Sequence, residues 1–382
     1  MLLHGARKLD ADGIVDDFWM LLVGDTISTT GTGDSWQALA PSVADSARFD
    51  ARGRWLTPGF IDLHAHGGGG ASFDDGIDAI GTALAVHRAH GTTRSVLSLV
   101  TNPLDRLAEN LRGIADLASR DPLILGSHLE GPFLSPLHRG AHEPQYLIEP
   151  DPANVEELLQ ASAGTLRQVT IAPELPGALD AIDRFVNAGV VVAVGHTDAG
   201  LEVTAEAFDR GASILTHAFN AMRAIHHRAP GPVIAAFEDS RVALELILDG
   251  VHVHPEVVRL AFLAAPQRIV LVTDAMAAAG APDGRYRLGS LDVTVAHGEA
   301  MLSGTETLAG STLTQDASLA NAIELAQIDP VLAVRAVTAS PARALGLDTR
   351  FGYLRPGYAA DAVLLDEQWR STTVFANGLR LV

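Results

Sequence analysis

Short apolar runs rich in β-branched residues recur along the middle of the chain, and alanine-rich stretches with helical spacing separate most of them. The helical spacing is clearest in residues 77–90, 202–210 and 255–264. The apolar runs lie near residues 60–64, 93–100, 122–128, 167–172, 190–195, 212–216, 242–248 and 268–273. Strands that alternate with helices form parallel βαβ units. Because about eight runs are apolar on both faces, the pattern predicts a closed (β/α)8 TIM-like barrel in preference to an open doubly wound sheet.

The two ends of the chain have a different pattern. Residues 1–57 and 352–382 alternate between apolar and polar positions, and turn signals such as the Asn-Gly pair at 377–378 break them. They form either two unrelated flaps or one small β-sandwich built from both termini, and their similar patterning favours the sandwich. The predicted organisation is a small β-sandwich domain of residues 1–57 and 346–382 with an inserted barrel of residues 58–345.

Two connections in the barrel are irregular. The link between the sixth and seventh strands is compressed around Pro230-Gly-Pro232, so the helix expected there is left open. After the eighth strand, residues 286–303 alternate around His297-Gly298, which predicts a hairpin inserted before the final helices.

The composition excludes several classes of protein. Of 382 residues, 47% are hydrophobic and 19% charged, as in folded domains. No apolar run reaches the roughly 18 residues that span a bilayer, and the N-terminus shows no secretory signal. A formal net charge of −19 argues against binding to nucleic acid or to an anionic membrane. We expect a cytoplasmic protein without either partner, and a chain without cysteine can hold a metal only through His, Asp and Glu.

A His-x-His pair, His64 and His66, ends the first apolar run in Gly-Phe-Ile-Asp-Leu-His-Ala-His-Gly. Side chains two residues apart in a strand point to the same face, so both imidazoles can converge on one point. Imidazole is a common ligand of borderline transition metals. Taken alone, such a pair is more often structural or a chance spacing than functional.

Three further candidate ligands, Glu130, His196 and His217, each lie directly after an apolar run of their own. Singly, each histidine has a plain interpretation as a hydrogen-bonded residue at a strand end. Together with the His-x-His pair they give five candidate ligands on four strand ends. Strands that repeatedly end in such residues predict a metal site at the mouth of the barrel.

Asp274 ends the eighth apolar run in Val-Thr-Asp-Ala. An aspartate at this position can simply cap a following helix. Opposite a set of metal ligands, the same carboxylate can take a proton from water and return it to a leaving group.

Other residues follow strands on the same rim. Arg228 can bind an anionic oxygen pair bidentately, although it is equally an ordinary surface arginine. His142 and His252 lie in loops, where a histidine is often only solvated. Asn220 can donate to a ligand or cap a helix. The Thr307–Ser311 turn offers backbone N–H groups to a small polar ligand, and helix capping explains it equally well.

Ten motifs in order, covering essentially the whole chain, resemble the amidohydrolase superfamily, and within it the deacetylases of N-acetylated amino-sugar phosphates. The matching segments are Pro58–Gly67, His128–Leu134, Arg139–His142, Gly195–Thr197, Thr216–Met222, Arg228–Gly231, Asp249–His252, Val272–Ala275, Leu308–Ser311 and Pro356–Leu365. The resemblance implies hydrolysis of the acetamide of N-acetyl-D-glucosamine 6-phosphate, in amino-sugar catabolism and cell-wall recycling. The alternatives are the galactosamine epimer, another amidohydrolase substrate, or a non-catalytic assembly protein. A degenerate barrel would have lost ligands, and here all are present.

The resemblance also assigns roles to residues of this chain. It implies that Glu130, His196 and His217 hold the principal divalent metal and that Asp274 is the catalytic acid/base. The metal expected first is Zn²⁺, with Fe²⁺, Mn²⁺ or Co²⁺ as alternatives. Family members differ at the His-x-His position; because this chain keeps His64 and His66, one or two ions per subunit remain open.

The implied partner is a small amino-sugar phosphate. His142 is expected to help to polarise the acetyl carbonyl. In the family, the residue matching Arg228 reaches across a dimer interface to the sugar phosphate, which implies a homodimer with shared sites. The positions that match substrate contacts are Ala141, His142, Asn220, Ala221, Arg228, Asp249, Gly250, Val251, His252, Thr307, Leu308 and Ala309.

Overall fold

The computed structural model describes all 382 residues. Eight parallel strands, β1 to β8, are hydrogen-bonded in chain order into one sheet. The Asp274 N–H donates to the carbonyl of His64 at 2.8 Å, and a parallel bridge between Ala65 and Ala275 joins the last strand to the first. The predicted (β/α)8 barrel is therefore confirmed. The strands are β1 (Phe60–Ala65), β2 (Thr92–Val100), β3 (Ile124–Glu130), β4 (Leu166–Ile171), β5 (Val191–Val194), β6 (Ile214–Leu215), β7 (Ala243–Ile247) and β8 (Ile269–Val272).

A helix follows every barrel strand, including the sixth, where the sequence left it open. The α-helices are α1 (Ile77–Ala89), α2 (Leu104–Arg120), α3 (Pro152–Ala161), α4 (Ala178–Asn187), α5 (Leu201–Asp209), α6 (Gly231–Glu238), α7 (Pro255–Ala264), α8 (Gln315–Glu324), α9 (Pro330–Val337) and α10 (Ala339–Ala344). Short 3-10 helices lie at Gly33–Ala38, Ala40–Ser42, Asp45–Ala47, Phe73–Asp75, Pro136–His138 and Pro144–Tyr146. No helix combines the length and the apolar character needed to cross a membrane.

The hydrophobic pattern explains why these elements form. Every residue of β2 and of β8 is buried, as expected for strands covered on both faces. Helix α2 buries Leu107, Leu111 and Ile114, whose spacing places them on one helix face against the main core. The Asp151 side chain accepts hydrogen bonds from two backbone N–H groups in the first turn of α3, which fixes where that helix begins.

Both termini contribute to a small β domain, as predicted. Its strands form one continuous sheet, in which Trp55–Pro58 pairs with Ala362–Leu365 and joins the N-terminal to the C-terminal segments. The Asn-Gly turn at 377–378 has φ of 49° and 73°, as a tight hairpin requires. The domain boundaries at residues 57/58 and 345/346 stay a prediction. The strands are Leu2–Asp10, Gly13–Val23, Thr26–Thr32, Arg48–Asp50, Trp55–Pro58, Ala362–Leu365, Ser371–Ala376 and Leu379–Arg380.

The insertion after β8 is larger than predicted. Instead of a single hairpin it is a three-stranded antiparallel sheet of Gly284–Leu288, Leu291–Ala296 and Glu299–Leu302. The extra strand exists because a turn at Gly289-Ser290 reverses the chain one strand earlier than the predicted turn at His297-Gly298. A two-stranded ribbon of Gly67–Gly68 and Ala71–Ser72 follows β1.

Candidate metal centre and active site

The residues predicted to ligate a metal lie at the carboxyl-terminal rim of the barrel. Glu130 is the last residue of β3, while His196, His217 and Asp274 each lie two residues beyond the end of their strands. Because the carboxyl ends of all eight parallel strands meet at one rim, residues far apart in sequence converge there.

Three of these residues adopt a backbone conformation that is rare outside glycine. The φ angles of His196, His217 and Asp274 are 45°, 26° and 47°. A left-handed backbone costs an L-residue free energy, and such strain is concentrated at functional sites. The turn directly after β5, β6 and β8 therefore serves to aim a side chain inward over the barrel.

The Glu130 carboxylate is the centre of the cluster. Its Oε1 lies 3.1 Å from His196 Nε2, 3.0 Å from His217 Nε2 and 3.2 Å from His64 Nε2. Its Oε2 lies 3.1 Å from His66 Nε2. All of these side chains are buried. The predicted convergence of four histidines on one carboxylate is therefore present in the structure.

Asp274 completes the arrangement from the end of β8, the strand next to β1 in the closed barrel. Its Oδ1 lies 3.3 Å from His66 Nε2 and 3.5 Å from His64 Nε2. The two ring nitrogens of the His-x-His pair are 3.1 Å apart. Both imidazoles thus point at the same place, as their spacing in the strand predicted.

Hydrogen bonds behind the rings fix which nitrogen faces the cluster. The Nδ1–H of His196 donates to the carbonyl of His138 at 2.9 Å, since a carbonyl can only accept. The Nδ1–H of His64 donates to a carboxylate oxygen of Glu245 at 3.4 Å. Each ring therefore turns Nε2 toward the cluster, the nitrogen whose lone pair binds a metal once it is deprotonated.

His142 is held in the opposite tautomer. The backbone N–H of Thr101 donates to His142 Nδ1 at 3.3 Å, and the Thr101 hydroxyl lies 2.9 Å from the same nitrogen. Because Nδ1 accepts, the proton of the neutral ring is on Nε2, which lies 3.4 Å from Glu130 Oε2. His142 is therefore a hydrogen-bond donor at the edge of the cluster and not a metal ligand.

The electrostatics of the cluster keep Glu130 ionised. Burial raises the pKa of its carboxyl, but the charge of His64 and the hydrogen bond from His142 outweigh burial and hold the pKa well below its ordinary value. Burial lowers the pKa of His196 to about 4, against the opposing effect of Glu130. His196 is therefore neutral near pH 7 and keeps its lone pair.

The His-x-His pair behaves differently. Burial opposes protonation of His66, yet hydrogen bonds to Asp274 and Glu130 raise its pKa to about 9. The pKa of His64 is also raised, because Glu130 and Asp274 outweigh burial. In the metal-free protein these two protons balance the carboxylates, and a bound cation displaces them.

The donor set fits a divalent transition-metal ion. Imidazole nitrogens and carboxylate oxygens are the ligands that such ions prefer. The Nε2 atoms of His196 and His217 are 2.9 Å apart, so their lone pairs repel unless a proton or a cation lies between them. Two overlapping groups of potential ligand atoms lie close together: one contains His64, His66, Glu130 and Asp274, the other Glu130, His196 and His142, in which the Nε2 of His142 carries a proton and donates.

A cavity of about 380 Å³ opens above the cluster. Its size suits a small ligand. Although 27 residues of the chain are lysine or arginine, none of them lines this cavity. The lining residues are His66, Glu130, Leu137, His138, Gly140, Ala141, His142, His196, His217, Asn220, Ala221, Ile247, His252, Asp274, Leu288, Glu306, Thr307, Leu308 and Gly310.

Comparison with known sequences agrees with this geometry. The sequence pattern of the amidohydrolase family matches residues 55–379, which is most of the chain. The chain belongs to the amidohydrolase family. It is thus a metal-dependent hydrolase, and its buried His, Glu and Asp cluster is able to bind the metal.

Several amidohydrolases are similar over nearly the full length. A solved structure of a substituted N-acetyl-D-glucosamine-6-phosphate deacetylase from Mycobacterium smegmatis, in complex with N-acetyl-D-glucosamine-6-phosphate, is 44% identical, with a TM-score of 0.94 over 100% of this chain and 99% of that chain. N-acetylgalactosamine-6-phosphate deacetylase from Escherichia coli O157:H7 is 39% identical over 99% of this chain and 98% of its own length. N-acetylglucosamine-6-phosphate deacetylase from Danio rerio is 36% identical over 84% of this chain and 82% of its own.

The predicted substrate positions of this amidohydrolase divide into two groups. Ala141, His142, Asn220, Ala221, His252, Thr307 and Leu308 line the cavity. Asp249, Gly250, Val251 and Ala309 do not line it, and the Ala309 N–H is already donated to the carbonyl of Ala300. Arg228 lies outside the cavity of its own subunit, and its exposed guanidinium forms no salt bridge.

Three residues that support the amidohydrolase centre were not singled out from the sequence. Thr101 sets the tautomer of His142, and Glu245 lies behind His64. Gln168 donates to Glu245 Oε1 at 2.8 Å. Glu245 did leave a signal, since it is a polar residue inside an otherwise apolar strand, whereas Gln168 lies in a strand that also contains Arg167 and Thr170. A buried charge is costly unless it is paired, so a charged residue in an apolar strand predicts a buried polar partner.

Proposed function

We propose that this amidohydrolase hydrolyses the acetamide of N-acetyl-D-glucosamine 6-phosphate to D-glucosamine 6-phosphate and acetate. The observation that carries the proposal is the convergence of Glu130, His196, His217 and Asp274 at the floor of a cavity sized for a sugar. The similar proteins named as deacetylases of amino-sugar 6-phosphates support the choice of substrate.

The proposed cofactor is Zn²⁺, with Fe²⁺, Mn²⁺ and Co²⁺ as alternatives that the same ligands accommodate. Glu130, His196 and His217 hold the principal ion. His64 and His66, with Glu130 and Asp274 within reach, hold a second one, so we propose two ions per chain. A divalent cation in such a site lowers the pKa of water and polarises a carbonyl.

Asp274 carries the proton through the reaction. Its carboxylate is ionised near pH 7: burial raises its pKa, but the charge of His64 and the hydrogen bond from His66 outweigh burial and lower it. As water attacks the acetyl carbon, Asp274 takes one proton from that water. When the carbon–nitrogen bond breaks, Asp274 returns that proton to the departing amine, and the second proton of the water leaves with acetic acid, which ionises to acetate.

His142 acts on the other side of the carbonyl group. Because Thr101 holds its Nδ1 as an acceptor, His142 Nε2–H is available to donate to the acetyl oxygen as negative charge develops there. The ring lies 4.7 Å from that of His196, at the boundary between the ligands and the cavity. His142 thus stabilises the tetrahedral intermediate without ligating the metal.

The phosphate requires a cation that the subunit's own cavity does not contain. No lysine or arginine lines it, and Arg228 is exposed on the rim loop. We propose a homodimer in which Arg228 of each subunit reaches into the neighbouring cavity and binds the phosphate bidentately. His252, held by Asp249 through a 2.6 Å contact, faces the same cavity and supplies a second donor.

The epimeric substrate is the second candidate. The relative from Escherichia coli O157:H7, which matches 99% of this chain at 39% identity, is named for the galactosamine form. Rates of amine release from the two epimeric sugar phosphates decide between them. Because a phosphorylated sugar carries charge that a bilayer excludes, we place the reaction in the cytoplasm, with no nucleic-acid or membrane partner.

The decisive experiment is the Asp274→Asn variant. Loss of the proton carrier should lower kcat by about 10²–10⁴, while the fold and the ion held by Glu130, His196 and His217 stay at the wild-type level. The matched control is Asp283→Asn, since Asp283 accepts backbone N–H groups of the inserted sheet and does not line the cavity. Unchanged turnover in Asp274→Asn would refute the proposed role.

A further inference from the structure

Glu245 is a fully buried carboxylate inside the barrel, in the middle of β7. It does not line the cavity, so it cannot contact the substrate. Its Oε1 accepts from the Gln168 amide at 2.8 Å, and its Oε2 lies 3.4 Å from His64 Nδ1. A buried charge is costly unless paired, so the fold retains this one against a free-energy penalty.

No charged group lies behind the other ligand rings, on the side of Nδ1. The Nδ1–H of His196 is held by a backbone carbonyl, and no protein group lies within hydrogen-bond distance of Nδ1 in His66 or His217. Only His64 has a carboxylate behind it. A carboxylate behind an imidazole fixes the ring orientation and makes the opposite nitrogen a stronger ligand.

The net charge of the site also favours a second cation. Glu130, Asp274 and Glu245 are three buried carboxylates, and no lysine or arginine lines the cavity above them. One divalent cation leaves this group with a formal charge of minus one if the histidines are neutral. A second cation reverses that charge to plus one, which suits an anionic substrate and the negative charge of a tetrahedral intermediate.

We propose that Glu245 is a positioning residue that holds the His64 ring so that its Nε2 binds the second divalent cation. The inference rests on the two-ion site proposed above. It adds the residue that positions a ligand of the second ion. The Nε2 of His64 lies 3.1 Å from that of His66 and 3.2 Å from Glu130 Oε1, so a rotation of this one ring changes both contacts. Gln168 keeps the carboxylate of Glu245 in place.

The test uses Co²⁺ alone as the probe, on full-length protein stripped with a chelator. Bound cobalt per chain is counted by elemental analysis, and the visible spectrum follows each addition. The wild type should take up two ions. Glu245→Gln, which keeps the shape and loses the charge, should bind the first ion normally and the second about 10–100-fold more weakly. Glu245→Asp, which keeps the charge at a shorter reach, should lie between them.

The matched control is Asp316→Asn. Asp316 is also a buried carboxylate paired with an imidazole, at 3.0 Å from His90 Nδ1, but neither residue lines the cavity. This variant should still bind two ions with wild-type affinity. Equal weakening in Asp316→Asn and Glu245→Gln would show a general packing effect and overturn the proposal.

Other outcomes would overturn the positioning role of Glu245 or separate it from the proposed function. Wild-type affinity for both ions in Glu245→Gln, or uptake of a single ion by the wild type, overturns the role of Glu245. If Glu245→Gln does not fold, the comparison of Glu245→Asp with the wild type decides, since unchanged second-ion affinity there contradicts the proposal. Deacetylase activity is scored separately: two ions without deacetylation would refute the proposed function and leave the positioning role standing.

Discussion

Arg94 connects the barrel to the terminal sheet through a buried ion pair, and its removal has a predictable cost. Its guanidinium is 1% exposed and contacts both oxygens of Asp361, at 2.6 and 3.1 Å. It also donates to the Asn377 side chain and the Pro122 carbonyl, and lies 4.6 Å from the ring centre of Phe351. The Asp361 side chain is only 6% exposed, so water cannot replace the lost cation.

The magnitude follows from this burial. Arg94→Met leaves an uncompensated carboxylate and should lower the free energy of unfolding by about 3–5 kcal/mol. Combining it with Asp361→Asn removes that charge, and the Asn377 N–H, 2.8 Å from Asp361 Oδ1, keeps an acceptor. The double variant should therefore return to within about 1 kcal/mol of the wild type.

Urea-induced unfolding measures these free energies, with Arg350→Met as the control. Arg350 lies 5.2 Å from the same Phe351 ring but is 58% exposed, so its removal should cost less than about 1 kcal/mol. If Arg94→Met and the double variant lose the same amount, the cost lies in packing and the electrostatic reasoning is refuted.

Two further predictions concern the metal and the dimer. Metal-free protein near pH 7.5 should release protons when it takes up Zn²⁺, because the pKa of His66 is raised to about 9 and that of His64 is raised as well, so both rings carry a proton before the metal binds. The affinity for Zn²⁺ should therefore weaken as pH falls. An indicator dye in weak buffer measures the proton release, and metal uptake without proton release would contradict this account. Mixing Asp274→Asn with Arg228→Ala subunits should restore up to about a quarter of wild-type activity, since each mixed dimer regains one intact site. Complementation that never rises above the separate variants would count against the shared site.

Much of the barrel and its ligands could be predicted from the sequence. Parallel strands bring their carboxyl ends to one rim, so Glu130, His196 and His217 could be grouped without knowing any distance. The pattern could not reveal tautomers, because the donor that fixes His142 is the backbone N–H of Thr101, and every non-proline residue has one. That distinction separates a ligand from a hydrogen-bond donor, and only the folded chain makes it.

Other features were missed because they depend on long-range pairing. Arg94 lies in a strand among threonines and serine, and nothing local indicates that Asp361 will neutralise it. The additional strand of the inserted sheet, Gly284–Leu288, is a different case, because it did have a local signal. The Gly289-Ser290 turn that follows it lies between two short alternating runs. Arg228 lies outside the cavity, and its contact across a dimer interface stays a prediction.

The pairing of Trp55–Pro58 with Ala362–Leu365 also determines when the terminal sheet can be completed during synthesis. Residues more than 300 positions apart form that ladder, so the N-terminal sheet keeps an open edge until residues 362–365 have been synthesised. Closing so long a loop is slow, and an open edge invites other chains to add to it. Nascent chains of this protein are therefore most exposed to misassembly until Ala362–Leu365 has been made.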